Sequence, residues 1–202
     1  MNFQTIEPTD QYLIDAALKD PDAFGELVKR YQDRVYSFAL RMTGNPDDAL
    51  DLAQETMIRA YKALKSFHRG APFSPWIYKI VTNQSINFLK RQRTQRSVIA
   101  QVRIEEEIRS QSVESLVEQR DTQRIVQKAI MGLPGQYRAA ILLRHIYQLS
   151  YEEIASVLDI PVGTVKTRIF RGRKILLSKL EESGRLEAYG LREGKATPTS
   201  LP

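Results

Sequence analysis

The sequence predicts an all-α fold of two small helical domains joined by a linker, of which the C-terminal one is a helix-turn-helix domain. Apolar residues recur every three or four positions over most of the chain, whereas the alternation typical of strands is scarcely present. Between Phe88 and Tyr137 there is no aromatic residue, and from Arg96 to Gln123 large apolar residues are sparse. Because such a stretch cannot build a core, it separates two helical regions that can.

The composition, 42% hydrophobic and 27% charged residues, is typical of a globular protein. No apolar run approaches the roughly 18 residues that span a bilayer, so we expect no membrane insertion. Residues 1–20 carry four acids and one lysine, which fits neither a secretory signal nor a transit peptide and predicts a cytoplasmic protein. The chain has no cysteine, which excludes disulfides, thiolate zinc sites and thiol nucleophiles.

The first predicted domain covers residues 1–95. A long amphipathic helix from about Phe24 is broken by Gly44-Asn45-Pro46, and a second helix follows to about Lys65. A loop containing glycine and proline then precedes a helix from about Trp76 to Arg93. That helix ends in a basic cluster, formed by Lys90, Arg91, Arg93 and Arg96.

The composition of the chain predicts the bounds of the linker and of the second domain. Residues 96–122 are polar and lack glycine and proline, which predicts an extended or partly helical linker rather than a flexible tether. Apolar helical spacing resumes near Ile125, so the second domain is assigned to residues 123–182. The polar tail, 183–202, contains Gly, Pro, Thr and Ser and is predicted to be disordered.

A helix-turn-helix pattern lies in the second domain. The spacing of Ser150 and Glu153 is that of a capping box, which starts a short helix. A break at residues 159–163 follows, and Thr164 opens a helix that is free of acids as far as Leu180. Its residues offer charge, hydroxyl and apolar groups, which are the chemistry that base reading in the major groove requires. The simpler alternative is a solvated basic helix, and Phe170 fits either a DNA contact or a core position.

Four segments carry a resemblance to a known family. Residues 149–155, LSYEEIA, and 161–168, PVGTVKTR, resemble the promoter-reading end of extracytoplasmic-function sigma factors of bacterial RNA polymerase. Residues 48–57, DALDLAQETM, resemble the helix with which these factors bind the clamp helices of the polymerase's largest subunit. Residues 75–83, PWIYKIVTN, resemble their promoter-melting segment. The resemblance covers roughly residues 10–182.

The resemblance implies roles for individual residues. The polymerase-binding positions are Asp51, Gln54 and Glu55. The residues for the minus-ten promoter element are Phe73, Tyr78, Lys79, Asn83, Lys90, Arg91 and Arg93, with Asn83 near a flipped-out base; we expect Trp76 to pack in the core instead. The residues for the minus-thirty-five element are Thr164, Lys166, Thr167, Arg168, Phe170, Arg171 and Lys174.

The implied partners are core RNA polymerase, through its clamp helices and its flap, and promoter DNA. No cofactor is needed. An inhibitory anti-sigma partner is common in the family, although no residue here identifies one. The nearest alternative is an ordinary helix-turn-helix regulator that binds duplex DNA without polymerase. An enzyme is disfavoured because there is no cysteine, no glycine-rich phosphate loop and no pair of histidines at ligand spacing.

Overall fold

The computed structural model describes residues 8–102 and 126–182, and the regular structure in these two ranges is helical throughout. Seven helices are labelled in chain order: α1 Asp10–Ala17, α2 Phe24–Thr43, α3 Pro46–Ala63, α4 Phe73–Val102, α5 Gly135–His145, α6 Tyr151–Leu158 and α7 Val162–Glu182. Short 3-10 turns lie at Pro21–Ala23 and Leu64–Ser66, and residues 126–131 are helical. None of the described helices is both long and apolar enough to cross a membrane.

The predicted break between the first two long helices is confirmed. Gly44 ends α2 in the left-handed conformation, with φ of 77°. Asn45 then caps α3, because its side-chain oxygen accepts hydrogen bonds from the amides of Asp47 and Asp48 at 2.8 and 3.0 Å. Pro46 takes the first helical position, where its missing N–H removes no hydrogen bond. The turn therefore follows from three consecutive residues.

The N-terminal half, residues 8–102, is built from α1 to α4, with α2 packed against the other three. Its core lies between α2 and α4, where fully buried side chains recur at helical spacing. The central members are Leu27, Val35, Phe38, Met42, Ile77 and Val81. This core places the outer faces of α3 and α4 at the surface.

The C-terminal half, residues 126–182, contains the predicted helix-turn-helix as α6 and α7. The capping box is present: the Ser150 hydroxyl accepts from the amide of Glu153 at 3.1 Å, and the carboxylate of Glu153 accepts from the amide of Ser150 at 2.7 Å. Asp159 ends α6 in the left-handed conformation. Both helices pack on α5 through a buried set, chiefly Leu142, Leu143, Ile154, Val157 and Val165.

The two halves pack against each other, which the sequence does not predict. Helix α4 contacts both α5 and α6, and α2 contacts α5. Buried residues of both halves consequently belong to one contiguous cluster. The rings of Tyr147 and Tyr78 meet across this boundary, with centroids 4.7 Å apart.

Two helix boundaries and the burial of one side chain differ from expectation. Helix α4 begins at Phe73 rather than Trp76 and continues to Val102, into residues assigned to the linker. Residues 103–122 of that linker and the tail, 183–202, lie outside the described residues. The sequence spacing of Tyr61 predicts that it lies on the buried face of α3, but it is exposed over nearly half its surface, and its ring centroid lies 5.3 Å from that of Phe24.

We expect Gly44→Ala to lower the free energy of unfolding by about 1–2 kcal/mol, because a Cβ at this left-handed position is strained. That Cβ would also lie 2.1 Å from Met131 Cε, so the methionine must move. The measurement is urea unfolding followed by circular dichroism. Gly25→Ala is the control: its Cβ meets nothing within 4 Å, and the helical site should gain up to about 1 kcal/mol. Equal stability of Gly44→Ala and wild type would contradict the strain argument.

Candidate nucleic-acid interface

Helix α7 has one buried and one exposed face. Val165, Ile169 and Gly172 are buried at helical spacing, and a Cβ at Gly172 would lie 3.0 Å from Ile141 Cγ1. Glycine at this position therefore lets α7 lie close to α5. The exposed side chains follow on the opposite face: Lys166, Thr167, Phe170, Arg171 and Lys174. Thr164 and Arg168 are half-buried at its edges.

Phe170 lies on the exposed face, which decides between the two positions that the sequence left open for it. It is 70% exposed, the most exposed of the large hydrophobic side chains described. A phenyl ring between Lys166, Thr167 and Arg171 provides an apolar contact among hydrogen-bond donors. This combination suits the floor of the major groove, where thymine methyl groups lie beside base edges.

One tyrosine ring with two neighbouring cations extends this surface beyond α7. The Tyr151 ring, at the start of α6, lies 4.9 Å from the Arg144 guanidinium and 5.9 Å from Lys166 Nζ. Arg144 is held in place because it also donates to the carbonyl of Leu149 at 2.9 Å. Cation–π contacts of this kind orient side chains at a surface. The sequence analysis missed Arg144 and Tyr151, since they come from α5 and α6.

Helix α4 carries a second polar face that points away from the core. Asn83 and Lys90 are exposed on it, and Asn87, which the sequence analysis did not select, lies exposed between them. Arg91 and Arg93 are exposed in the following turn, whereas Lys79 is half-buried. Amides and cations on one helix face can bond base edges and phosphates.

Two predicted minus-ten residues, Phe73 and Tyr78, are buried, each with only 3% of its surface exposed. The Phe73 ring packs 5.0 Å from that of Tyr31, and burial raises the pKa of Tyr78 to about 12. Neither ring can stack on a base in this arrangement, which corrects the expectation drawn from the sequence. The Phe73 ring also packs against the rings of Phe67 and Trp76, and the Tyr78 ring packs against those of Phe38 and Tyr147.

The loop before α4 is held by α1. The amide of Gly70, with φ of 90°, donates to Gln11 Oε1 at 3.2 Å. Arg69 Nε lies 3.6 Å from Asp15 Oδ1, an exposed ion pair. Trp76 is half-buried, with its ring 5.1 Å from that of Phe67, and so packs as expected. The loop thus has a defined path beside the exposed face of α4.

The outer face of α3 combines polar and apolar side chains. Asp51 and Gln54 are exposed, and Glu55 is partly exposed and pairs with Arg59 at 2.6 Å. Leu50 and Ile58, which the sequence analysis did not select, are 50% and 47% exposed. Residues at positions 50, 54 and 58 lie one turn apart, so Leu50 and Ile58 lie along one side of α3 with Gln54 between them.

Among the residues that the structure describes, no three potential metal ligands cluster. His145 is half-buried, and its burial, together with Arg173 and Arg144, lowers its pKa.

Two protein families match the chain. Residues 27–95 match Sigma-70 region 2, and residues 123–176 match Sigma-70, region 4. The chain is 40% identical over 171 residues to the ECF RNA polymerase sigma factor SigW of Bacillus subtilis, covering 81% of this chain and 91% of SigW. It is 39% identical over 184 residues to the ECF RNA polymerase sigma-E factor of Escherichia coli K12, covering 86% and 95%.

Two solved structures are similar to this one. The first is the sigma factor RpoE in complex with the anti-sigma factor NepR from Bartonella quintana, with a TM-score of 0.60, 26% identity, and coverage of 78% of this chain and 96% of RpoE. The second is CnrH in complex with the cytosolic domain of CnrY, with a TM-score of 0.63, 26% identity, and coverage of 86% and 97%.

Truncation of two adjacent residues of α7 should change the free energy of unfolding by very different amounts. We expect Phe170→Ala to change the free energy of unfolding by less than about 0.5 kcal/mol, because the ring is exposed. Ile169→Ala, which empties a buried site, should cost about 2–4 kcal/mol. Urea unfolding of both variants, followed by circular dichroism, measures the difference. A destabilised Phe170→Ala variant would show that the ring packs inside the protein.

Proposed function

The chain belongs to the extracytoplasmic-function sigma factors of RNA polymerase, and we propose that three exposed helix faces divide its work. The outer face of α3 binds polymerase, α4 and its preceding loop bind the minus-ten element, and α7 binds the minus-thirty-five element. As a sigma factor the protein binds core RNA polymerase, directs it to specific promoters for initiation, and is not an enzyme.

The polymerase surface rests on the composition of α3. Leu50 and Ile58 supply apolar area, while Asp51, Gln54 and Glu55 supply acceptors for a basic partner surface. Apolar anchors within a polar rim are the usual source of affinity in protein interfaces. The partner in this proposal is the pair of clamp helices of the largest subunit, and the C-terminal half binds the flap.

The minus-thirty-five surface is the single observation that most strongly supports the proposal. Five of the seven residues proposed to read bases are exposed on α7, and the buried residues of this helix are all apolar or glycine. Lys166 and Arg171 can donate to guanine edges or phosphates, and Phe170 and the Thr167 methyl can contact thymine. Arg144 and Tyr151 extend the same face toward the phosphate backbone.

The minus-ten surface is the face of α4 with Asn83, Asn87 and Lys90, together with the loop at residues 67–72. An amide side chain can bond the edge of a base that has left the stack, and the cations at Arg91 and Arg93 can bind the single-strand backbone. Base binding then supplies the free energy that favours melted over duplex DNA. Phe73 is excluded from this set by its burial in the described structure.

The domain assignment follows the same division. Residues 1–95 bind polymerase and the minus-ten element, residues 123–182 bind the minus-thirty-five element, and residues 96–122 join them. Two weak DNA contacts on one chain reinforce each other because the tether raises their effective concentration. The protein would act in the cytoplasm with the polymerase, and an anti-sigma factor is a proposed regulator, since both similar structures contain a bound protein partner.

We expect the Leu50→Asp/Ile58→Asp variant to bind core polymerase at least tenfold more weakly. The variant loses two apolar anchors, and its two carboxylates must be desolvated when the interface forms. Affinity for purified core polymerase, measured by fluorescence anisotropy, tests this. Tyr12→Asp, at an exposed aromatic on α1, is the matched control and should bind like wild type. Unchanged affinity in the double variant would remove α3 from the interface.

The promoter-reading role is tested by run-off transcription from a genomic promoter library with core polymerase. The protein should yield transcripts whose templates share two spaced elements. Lys166→Ala/Arg171→Ala should reduce them at least tenfold, because each base or phosphate contact contributes about 1–3 kcal/mol. Lys29→Ala, an exposed cation on α2 that pairs with Glu26, should not. Absent transcripts, together with duplex protection by the protein alone, would instead favour the ordinary regulator.

A further inference from the structure

The loop at residues 67–72, which leads into α4, is anchored at both ends by aromatic rings. Phe67 and Phe73 are buried, and their ring centroids lie 5.9 Å apart. Trp76, in the first turn of α4, has its ring 5.1 Å from that of Phe67 and 5.3 Å from that of Phe73. The core therefore fixes where the loop begins and where it ends, while most residues between these two points are exposed.

Between the two anchors the chain makes a tight turn. The amide of Ala71 donates to the carbonyl of His68 at 3.1 Å. Gly70 has φ of 90°, the sign that the third residue of a type II turn requires. A Cβ at Gly70 would meet nothing within 4 Å, so glycine serves the backbone angle rather than a close contact. One exposed hydrogen bond closes the turn but does not fix its tilt relative to α4.

Helix α1 supplies that further constraint through two side chains that lie one turn apart. Gln11 Oε1 accepts a hydrogen bond from the amide of Gly70 at 3.2 Å, and Asp15 Oδ1 lies 3.6 Å from Arg69 Nε. The two α1 side chains also bond each other, because Gln11 Nε2 donates to the same Asp15 oxygen at 3.3 Å. Two successive loop residues are thus tied to one helix, the first by its side chain and the second by its backbone.

Helix α1 is itself held by the core, which makes it a rigid support. Its inner side chains are buried. Asp10, in its first turn, accepts hydrogen bonds from Arg30 Nη1 at 2.6 Å and from the Tyr31 hydroxyl. The Tyr31 ring packs 5.0 Å from that of Phe73. One set of contacts consequently links α1, α2 and the start of α4, and the loop is tied to this set at both its ends and its turn.

The contacts between α1 and the turn are too exposed to contribute much to the stability of the fold. The side chains of Arg69 and Asp15 are 71% and 45% exposed, and Gly70 is exposed as well. Ion pairs in such positions stabilise a folded protein little, because water and salt screen them. A small free-energy difference is nevertheless enough to select one orientation of a loop over another. The network therefore suits the control of loop orientation better than the support of the core.

We propose that Gln11 and Asp15 are positioning residues for promoter recognition, which hold the loop at residues 67–72 in the orientation that binds the minus-ten strand. The inference rests on the proposed role of this loop and of α4. If the strand binds one loop orientation, its apparent affinity is reduced by the fraction of molecules in other orientations. Contacts to bases depend on that orientation, whereas phosphate contacts by Arg91 and Arg93 on α4 do not. Loss of the network should therefore reduce sequence discrimination more than total DNA binding.

The free protein contains a reporter of loop position, because Trp76 is its one tryptophan. Gln11→Ala should increase the quenching of Trp76 fluorescence by acrylamide, since the indole packs between the two ends of the loop. Helical content and urea unfolding should stay as in wild type, because the lost contacts are exposed. Gln32→Ala, at an exposed glutamine on α2, is the matched control and should behave like wild type throughout.

Binding of the holoenzyme to two bubble templates measures the effect on promoter selection. One template carries the minus-ten strand found among the run-off transcripts of wild type, and the other carries that strand with its bases changed. Both templates keep the same minus-thirty-five duplex. Wild type should prefer the matched template, and Gln11→Ala should lower this preference about three- to tenfold. The affinity of Gln11→Ala for core polymerase should equal that of wild type.

An isosteric exchange distinguishes positioning from a purely structural role. Gln11→Glu alone places two carboxylates one turn apart, so it should lower the preference as Gln11→Ala does. Gln11→Glu/Asp15→Asn restores one amide and one carboxylate to the network. Position 11 again accepts from the Gly70 amide, and position 15 donates to position 11 and accepts from Arg69. The double variant should therefore recover both the preference and the Trp76 quenching of wild type.

Three outcomes would overturn the proposal. The first is a Gln11→Ala variant with the preference of wild type. The second is a lost preference with unchanged Trp76 quenching, which would mean that Gln11 contacts DNA itself. The third is an exchange variant that does not recover. If wild-type holoenzyme shows no preference for the matched template, the proposed function fails instead, whereas a wild-type preference that Gln11→Ala retains leaves that function intact.

Discussion

Packing on two sides of α4 is the constraint on which the rest of the structure depends. Ile77 and Val81 pack it into the N-terminal half, while Tyr78 and Leu89 face the C-terminal half. With these faces covered, the side chains of the described part of α4 that reach solvent are mainly amides and cations. Packing therefore selects which part of the helix is offered to nucleic acid.

The three proposed surfaces differ in chemistry as their partners do. The α3 surface mixes leucine and isoleucine with carboxylates, which suits a basic protein surface that can be desolvated. The α7 surface is cationic with one exposed phenyl ring, which suits a duplex groove. The α4 surface carries two amides next to cations, which suits unpaired bases on a phosphate strand. Each surface lies on a rigid helix, so its groups keep their relative positions.

Aromatic residues show where sequence reasoning reached its limit. Phe73 and Tyr78 were assigned to DNA because they lie in a segment that resembles the melting region, yet both rings are buried. Phe170, which fitted the core equally well, is exposed. A phenyl or phenol ring suits a core and a base stack alike, so its type and spacing do not decide the matter. The start of α4 and the contact between the halves decide it.

The sequence by itself determined the helices, their caps and the basic face of α7, because periodicity, the capping box and the Gly-Asn-Pro break act over a few residues. It also carried the family resemblance, which rests on short contiguous segments. The tertiary structure alone decided that the halves pack together, that Leu50 and Ile58 are exposed, and that Arg138 is buried. These features depend on contacts between residues nearly a hundred positions apart, such as Met42 and Arg138. No local sequence pattern predicts which backbone carbonyls will lie next to an arginine once the chain has folded.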